Sequence, residues 1–450
     1  MKRKLYPILA LVLVLGLFAP SFAPAAAAST ISFTILHTND FHGQLEASGS
    51  NPGMARVAAL VEQQRAALGA GNVLLVDAGD EMQGSLLSNL TKGEATIAAF
   101  NAMQYQVATF GNHEFDWGQD VLSARTAQAS YPFVTANIVK KAADGSCTGW
   151  DAPAFAKPYQ VITAGTAPNQ VRVGFIGVTT TETPVITVST ATQGLCFKDP
   201  TDSILHYYDE LAGKSDVIVV LSHLGYADGG YGYGIPVYGD QTLAKNLINA
   251  GKPVPLIIGG HSHTNLSAAT VVTVSGKPGS TSVVQAYYNG RNLGEADLTF
   301  DPATRQVTVS WQRILVSTSG PEDATVKGVI QSYANNPDYM ARINQPVGYA
   351  QTDLSRNYNG DQVMGEFVDD AIYNYLNSDN QPSNDVDLFF NNAGGIRTDW
   401  CDKPDPAHAG NFIWSSDPAD CQPGVWSHGP MLLTYGMMFT ILPFGNATVV

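Results

Sequence analysis

Histidine, aspartate and asparagine recur in five short clusters that all lie within the first 263 of the 450 residues. The clusters are Asp40-Phe41-His42, Gly79-Asp80, Gly111-Asn112-His113-Glu114-Phe115-Asp116, Ser222-His223 and Gly259-Gly260-His261-Ser262-His263. Their oxygens and imidazole nitrogens are ligands of intermediate hardness, which suit first-row divalent metals. Two such ions about 3.5–4 Å apart can hold the attacking and leaving oxygens of a phosphoryl transfer. The residue types therefore indicate metal-dependent phosphate chemistry.

Each cluster directly follows a short segment rich in valine and isoleucine, which predicts a buried strand. The predicted strands are Ser32–His37, Val73–Asp77, Val107–Phe110, Val171–Val178, Val217–Leu221 and Pro255–Ile258. Helical periodicity predicts helices over Gly53–Leu68, Ser203–Leu211 and Gln241–Ile248. The carboxyl ends of strands in layered α/β folds converge on one crevice, so we expect the five clusters to meet there. One histidine after a strand is usually a turn residue, but five clusters in this order favour a shared site.

The size and charge of the chain limit its function. A length of 450 residues favours two domains, and a hydrophobic fraction of 44% supports folded cores rather than disorder. The net charge of −15 leaves no basic surface for a nucleic acid polymer. An anionic small molecule would need local positive charge, which bound metal ions supply.

The N-terminal residues 1–28 are predicted to be a cleaved signal peptide. A basic start at Lys2–Lys4 precedes the apolar run Leu5–Phe18, and Ala25–Ala28 offers small residues for cleavage. The apolar run is shorter than the ~20 residues of a membrane-spanning helix. We therefore expect a secreted protein, free or associated with the cell wall, without a membrane span after cleavage.

Four cysteines in an exported chain favour two disulfides over a metal site. Three pairings are open, and the long gap between Cys196 and Cys401 favours the local bridges Cys147–Cys196 and Cys401–Cys421.

The α/β domain is predicted over residues 30–320. A helical linker over residues 321–345, centred on Thr325–Arg342, leads to an α+β domain over residues 346–450. That domain is expected to contain a helix near Val363–Tyr375 and a strand at Asp387–Asn391. The sequence stops inside the strand-like run Ala447–Val450, so we expect the second domain to be incomplete.

The five clusters together resemble the signature of the calcineurin-like metallophosphoesterases. The longer strings Leu36–Gly43 and Gly111–Asp116 resemble the 5′-nucleotidase branch, which includes UDP-sugar hydrolases. The resemblance implies an α/β sheet sandwich flanked by helices, followed by a partial α+β domain for substrate specificity. It also implies two divalent metal ions, with Zn, Mn, Fe and Co as candidates.

The resemblance also implies roles for individual residues. The implied metal ligands are Asp40, His42 and His263 for the first ion, Asn112, His223 and His261 for the second, and Asp80 as a bridge between them. His113 would stabilise charge or protonate the leaving oxygen, and Asp116 would orient its imidazole. The remaining histidines, His37, His206, His408 and His428, are interpreted as structural or surface residues.

Two segments of the second domain extend the resemblance. Phe390–Arg397 resembles the family's Asn-Gly-Gly-Gly-Ile-Arg segment, and Leu442–Asn446 resembles its Leu-Pro-Phe-Gly segment. Arg356 matches another substrate arginine loosely. The implied substrate residues are Arg356, Asn392 and Arg397, which would contact nucleoside or phosphate, and Phe444, which would stack on the base.

The predicted reaction is hydrolysis of nucleoside 5′-monophosphates to nucleoside and phosphate, for nucleotide catabolism and phosphate scavenging. A 2′,3′-cyclic-nucleotide phosphodiesterase with 3′-nucleotidase activity and a UDP-sugar hydrolase use the same ligands, so the motifs leave both open. A non-catalytic nucleotide-binding surface protein is an alternative of another class. The intact pair His113 and Asp116 argues against it. The oligomeric state stays open.

Overall fold

The computed structural model describes residues 29–230, 232–357, 360, 362–378, 396, 398–422 and 424–442. Its strands are β1 (Ile31–Thr38), β2 (Val73–Asp77), β3 (Val107–Thr109), β4 (Phe133–Val134), β5 (Ile138–Lys140), β6 (Tyr159–Thr166), β7 (Asn169–Thr179), β8 (Leu195–Phe197), β9 (Val217–His223), β10 (Leu256–Gly259), β11 (Thr270–Val272), β12 (Thr281–Val284), β13 (Asn292–Asp301), β14 (Gln306–Leu315), β15 (Pro346–Ala350), β16 (Cys401–Pro404), β17 (Phe412–Ser415) and β18 (Met431–Thr434).

The α-helices lie between and after these strands. They are α1 (Met54–Leu68), α2 (Leu86–Leu90), α3 (Glu94–Ala102), α4 (Gly118–Gln128), α5 (Thr183–Ile186), α6 (Pro200–Lys214), α7 (Asp240–Asn249), α8 (Ala324–Ala334), α9 (Pro337–Ile343), α10 (Val363–Leu376) and α11 (Tyr435–Ile441). Short 3₁₀ turns lie at Ala70–Asn72, His113–Phe115, Ser189–Thr192 and Pro418–Asp420.

Two six-stranded sheets carry the first part of the chain. The first has the order β14-β13-β1-β2-β3-β4, and the second has the order β11-β12-β10-β9-β7-β6. Strands β1 to β4 run parallel, as do β7, β9, β10 and β12, while the remaining strands pair antiparallel at the edges. The carboxyl ends of the parallel strands in each sheet therefore lie at one edge.

Alternating side chains on these strands build three stacked cores. Phe33 and Ile35 of β1 pack with Phe175 of β7 between the two sheets, whereas Leu36 faces the opposite way, into a core shared with α1 and α3. On the outer face of the second sheet, Ile257 of β10 packs against α6 and α7. The order of layers is helix, sheet, sheet, helix, so the predicted sheet sandwich is confirmed. All six predicted strands and all three predicted helices of this part are present.

The segment predicted as a helical linker contains two helices, α8 and α9. Pro337 is the first residue of α9, and Asn336 before it adopts an extended conformation and accepts hydrogen bonds from the N–H groups of Asp338 and Tyr339. A proline disfavours helical geometry in the residue before it, so the helical path is interrupted after Ala334 and α9 begins at Pro337. The domain limits at residues 320 and 345 remain predictions.

A smaller core of Ala350, Leu354, Met364, Val368, Ile396, Leu433 and Ile441 holds the C-terminal part together. Helix α10 matches the predicted helix, whereas the predicted strands Asp387–Asn391 and Ala447–Val450 lie outside the described residues. The bridges Cys147–Cys196 and Cys401–Cys421 are both formed, so the local pairing is confirmed. Within the described ranges, no helix combines the length and apolar character needed to cross a membrane. Residues 1–28, the predicted signal peptide, lie outside those ranges.

Candidate active site

The five clusters converge at the carboxyl ends of β1, β2 and β3 in the first sheet and of β9 and β10 in the second. Backbone hydrogen bonds join the first two loops: the Asp40 N–H donates to the Gly79 carbonyl at 2.9 Å, and the His42 N–H donates to the Asp80 carbonyl at 2.9 Å. The Asp40 carboxylate in turn accepts the His261 N–H at 3.0 Å. Loops whose residues are more than 200 positions apart in the sequence are thus joined by hydrogen bonds.

Five residues of the site have left-handed backbone conformations that residues other than glycine rarely adopt. They are Asp40 (φ 50°), His42 (φ 51°), Asp80 (φ 59°), His261 (φ 72°) and His263 (φ 49°). Such conformations cost about 1–3 kcal/mol each and persist where the surrounding structure enforces them, most often at functional sites. Their concentration here indicates that the loops hold strained backbone conformations that orient the side chains of the site.

The potential ligand atoms form two groups, in each of which all atoms lie within 4.8 Å of one another. The groups are Asp40, His42 and His263, and Asp80, His223 and His261. In the first, His42 Nε2 lies 3.0 Å from His263 Nε2, and in the second, His223 Nε2 lies 3.0 Å from Asp80 Oδ2. Ligand atoms about 2.0–2.1 Å from an ion are separated by such distances, so both groups fit a divalent metal.

The side chain of Asn112 gives an independent indication of a ligand. Asn112 is buried, and its Oδ1 accepts no hydrogen bond from any described residue. A buried amide oxygen without a partner costs free energy comparable to a lost hydrogen bond. A cation would satisfy this oxygen, and Asn112 directly precedes His113, whose N–H binds Asp80.

Backbone carbonyls fix the tautomers of two histidines. His42 Nδ1 donates to the Gln83 carbonyl at 2.8 Å, and His223 Nδ1 donates to the Ala78 carbonyl at 2.7 Å. A carbonyl only accepts, so the Nδ1 atoms carry protons and the Nε2 atoms face the site, where the neutral form of each ring would offer its lone pair to a cation. Metal-binding histidines are oriented in this way by a second hydrogen bond.

The electrostatics of the site favour positive charge between the carboxylates. Burial opposes ionisation of Asp80, yet the charges of His223 and His113 hold its pKa well below the usual range. Burial lowers the pKa of His223, but Asp80 and Asp40 raise it overall to about 10. Burial lowers the pKa of both His42 and His261 to about 4, which leaves these imidazoles neutral and able to bind a cation.

His113 and Asp116 form a hydrogen-bonded pair beside the ligand groups. His113 Nδ1 lies 2.6 Å from Asp116 Oδ2, and the His113 ring lies 5.4 Å from the ring of His42. Burial lowers the pKa of His113, but the charge of Asp80 and the hydrogen bond to Asp116 raise it to about 9. An imidazole held in this way is suited to stabilise a phosphoryl group or to donate a proton.

Glu114 belongs to the third cluster, but its structural role was not identified from the sequence. Its buried carboxylate accepts the backbone N–H groups of Asp80 at 2.9 Å, Glu81 at 2.8 Å and Gly111 at 2.7 Å. These bonds clamp the loop after β2 to the loop after β3. No pattern in the sequence marks such a role, because these partners are backbone amides.

Of the four implied substrate residues, only Arg356 lies among the residues that the structure describes. Arg356 forms an ion pair with Asp399, in which Nε and Nη2 both donate to Oδ2, at 3.0 Å and 2.7 Å. Asn392, Arg397 and Phe444 lie outside the described residues.

The four remaining histidines have local partners. His37 is buried and accepts a hydrogen bond from Trp311 Nε1, and His206 stacks on Trp150. His408 and His428 pair with Asp405 and Asp402 in the C-terminal part.

A family model and known relatives match the chain. Residues 33–265, just over half of the 450, match the model described as calcineurin-like phosphoesterase. A snake venom 5′-nucleotidase of Naja atra is 29% identical over 402 residues, covering 82% of this chain and 70% of the venom protein. A cell wall protein of Listeria monocytogenes is 27% identical over 505 residues, covering 99% of this chain and 58% of that protein.

A crystal structure of a 5′-nucleotidase precursor from Thermus thermophilus has the same architecture. It matches with a TM-score of 0.63 and 28% identity, covering 92% of this chain and 74% of that one. The family match and the 5′-nucleotidase relatives indicate a phosphoric monoester hydrolase. The chain belongs to the calcineurin-like phosphoesterase family.

Proposed function

We propose that the protein is a secreted, dinuclear metal-dependent 5′-nucleotidase that hydrolyses nucleoside 5′-monophosphates to nucleoside and phosphate. The observation that carries this proposal is the pair of ligand groups, Asp40/His42/His263 and Asp80/His223/His261, with the His113–Asp116 pair beside them. The venom and Thermus proteins are both named as 5′-nucleotidases, which supports the same substrate class here.

Asp80 would bridge two ions, and Asn112 would complete the second site. Two divalent ions bound there would polarise the phosphate and lower the pKa of a bound water, so that phosphoryl transfer to water proceeds near neutral pH. The identity of the ions, Zn, Mn, Fe or Co, stays open.

His113 would contact the phosphate and donate a proton to the departing 5′-oxygen of the nucleoside. Asp116 accepts from Nδ1, which would leave Nε2, on the far side of the ring, for the substrate. Arg356, Asn392, Arg397 and Phe444 would bind the nucleotide. Their chemistry suits that role, since guanidinium groups bind phosphate and an aromatic ring stacks on a base.

A location outside the cytoplasm accords with two further observations. The two disulfides fit an oxidising compartment. One relative is named as a cell wall protein, and another is a venom protein. Cleavage of residues 1–28 during export would be seen as a mature N-terminus near Ser29.

The experiment that tests the function is phosphate release from a substrate panel after metal depletion and add-back of single divalent metals. The panel contains AMP, 3′-AMP, 2′,3′-cyclic AMP, UDP-glucose and nitrophenyl phosphate. Preference for AMP over the other nucleotides supports the proposal. Preference for the cyclic nucleotide or the UDP-sugar would assign the same centre to those substrates, and no release with any metal would reject catalysis.

A further inference from the structure

The carboxylate of Asp116 has a second hydrogen-bond donor besides His113. Its Oδ2 lies 2.6 Å from His113 Nδ1, and its Oδ1 accepts a hydrogen bond from Thr187 Oγ1 at 2.9 Å. Both oxygens are therefore held, one by the imidazole and one by a hydroxyl that lies 71 positions away in the sequence.

Thr187 lies in the segment from Thr180 to Gln193, which is held at both ends by hydrogen bonds to other parts of the chain. It directly follows α5 and is held by a backbone hydrogen bond to Thr183 at 3.2 Å. At the start of the segment, the Thr180 N–H donates to the carbonyl of the proposed ligand His223 at 3.1 Å. At its end, the Gln193 carbonyl accepts from Gln119 of α4, the helix that follows Asp116. These hydrogen bonds hold the segment in place, and with it the Thr187 hydroxyl beside Asp116.

We propose that Thr187 is a positioning residue for the reaction, acting on His113 through Asp116. The inference rests on the proposed function, because it concerns the acid role of His113. A carboxylate held at one oxygen can rotate about its Cβ–Cγ bond and can offer the imidazole either oxygen. The Thr187 hydroxyl fixes the plane of the carboxylate, so that Oδ2 stays aligned with Nδ1 and the imidazole keeps the orientation needed for proton transfer.

Hydrogen-bond chemistry supports this assignment. An ionised carboxylate is only an acceptor, so both Thr187 and His113 must donate to Asp116. Hydrogen bonds to charged groups are stronger than those between neutral groups. Asp116 and His113 expose 21% and 25% of their side-chain surface, so most of each side chain is shielded from water.

The test compares Thr187→Val, which replaces the hydroxyl with a methyl group, with Thr187→Ser, which keeps the hydroxyl. Thr190→Val makes the same chemical change at an exposed position of the same segment. We expect Thr187→Val to lower kcat for AMP by roughly 5- to 30-fold, part of the ~10²–10⁴-fold that a positioned acid contributes. The loss should be smaller for nitrophenyl phosphate, whose leaving group needs no protonation. KM and metal content should stay unchanged, and Thr187→Ser should retain most of the rate.

Wild-type turnover of AMP in Thr187→Val would overturn the proposal, as would an equal loss on both substrates or a loss of metal, which would indicate a structural role only. His113→Asn is measured in parallel to separate this proposal from the one on which it rests. If His113→Asn itself shows no dependence on the leaving group, the acid role of His113 fails. If His113→Asn shows it and Thr187→Val does not, only the positioning role of Thr187 fails.

Discussion

The carboxylate of Asp80 accepts the backbone N–H of His113 at 2.9 Å through its Oδ1. Its other oxygen, Oδ2, lies 3.0 Å from His223 Nε2. A single buried side chain therefore connects one candidate ligand group with the backbone of the proposed acid. Any change that moves Asp80 should alter both metal binding and the placement of the imidazole.

Asp80→Asn should abolish phosphate release and reduce metal binding by at least one ion per chain. The substitution keeps the size of the side chain but removes the negative charge that two cations would share. Elemental analysis and turnover of AMP check this, with Asp209→Asn on the exposed face of α6 as the matched control. Wild-type metal content and turnover in Asp80→Asn would exclude a bridging role.

His113→Asn should leave metal content unchanged and lower turnover of AMP by ~10²–10⁴-fold, the contribution expected of a positioned acid–base group. The loss should shrink for nitrophenyl phosphates, because their leaving groups depart without a proton. A series of aryl phosphates with different leaving-group pKa values measures this dependence. Equal losses across the series would show that His113 acts by stabilising charge on the phosphoryl group instead.

Glu114→Gln should destabilise the protein by about 1–3 kcal/mol, the cost of leaving a buried donor unsatisfied. The Gln amide keeps one acceptor oxygen, whereas Glu114 serves Asp80, Glu81 and Gly111 with two. Burial raises the pKa of Glu114 to about 7, so urea denaturation is measured at pH 8, where the native carboxylate is ionised.

Glu62→Gln on α1, whose side chain is 52% exposed, is the control for this experiment. An unfolding free energy and metal affinity equal to those of the wild type in Glu114→Gln would show that the clamp between the loops is dispensable.

Asp240 should make stability fall as pH rises. Burial raises its pKa to about 8, against the opposing hydrogen bond from Ser222, whereas an unfolded aspartate titrates near ~3.9. Between these two pKa values the folded state binds more protons than the unfolded state. The stability that protonated Asp240 contributes is therefore fully present below pH ~4 and decreases as the pH rises to ~8. The slope is at most about 1.4 kcal/mol per pH unit.

Asp240→Asn removes this titration. The unfolding free energy of the variant minus that of the wild type should therefore increase from pH 5 to pH 8. Urea denaturation of metal-depleted protein at both values measures the difference. A difference that is the same at pH 5 and pH 8 would show that Asp240 is ionised throughout this range.

The sequence was most informative at the strand ends. His223 and His261 were predicted to meet because apolar segments before them indicated parallel strands, and β9 and β10 are adjacent and parallel. The hairpin of β13 and β14 was not predicted, although it completes the first sheet beside β1. Strand β14 is largely polar with only partly buried alternate residues, so its sequence lacks the continuous apolar run of a central strand.

The parts of the site that were missed depend on tertiary contacts. Glu114 binds backbone amides, which have no sequence signature, and Thr187 reaches Asp116 only because α5 returns to the site after β7. Arg356 was predicted from a loose match as a substrate residue, and its ion pair with Asp399 could not be read from a separation of 43 residues. Its substrate role stays a prediction.

Hydrolysis of AMP at this centre is expected to depend on two metal ions. The most direct test is a titration of metal-depleted protein with a single divalent metal, with bound ions counted by elemental analysis and AMP hydrolysis measured on the same samples. We predict saturation at two ions per chain, with activity that develops as both sites fill and that a chelator removes. Full AMP hydrolysis in metal-free protein, or saturation of binding and activity at one ion per chain, would contradict the dinuclear mechanism.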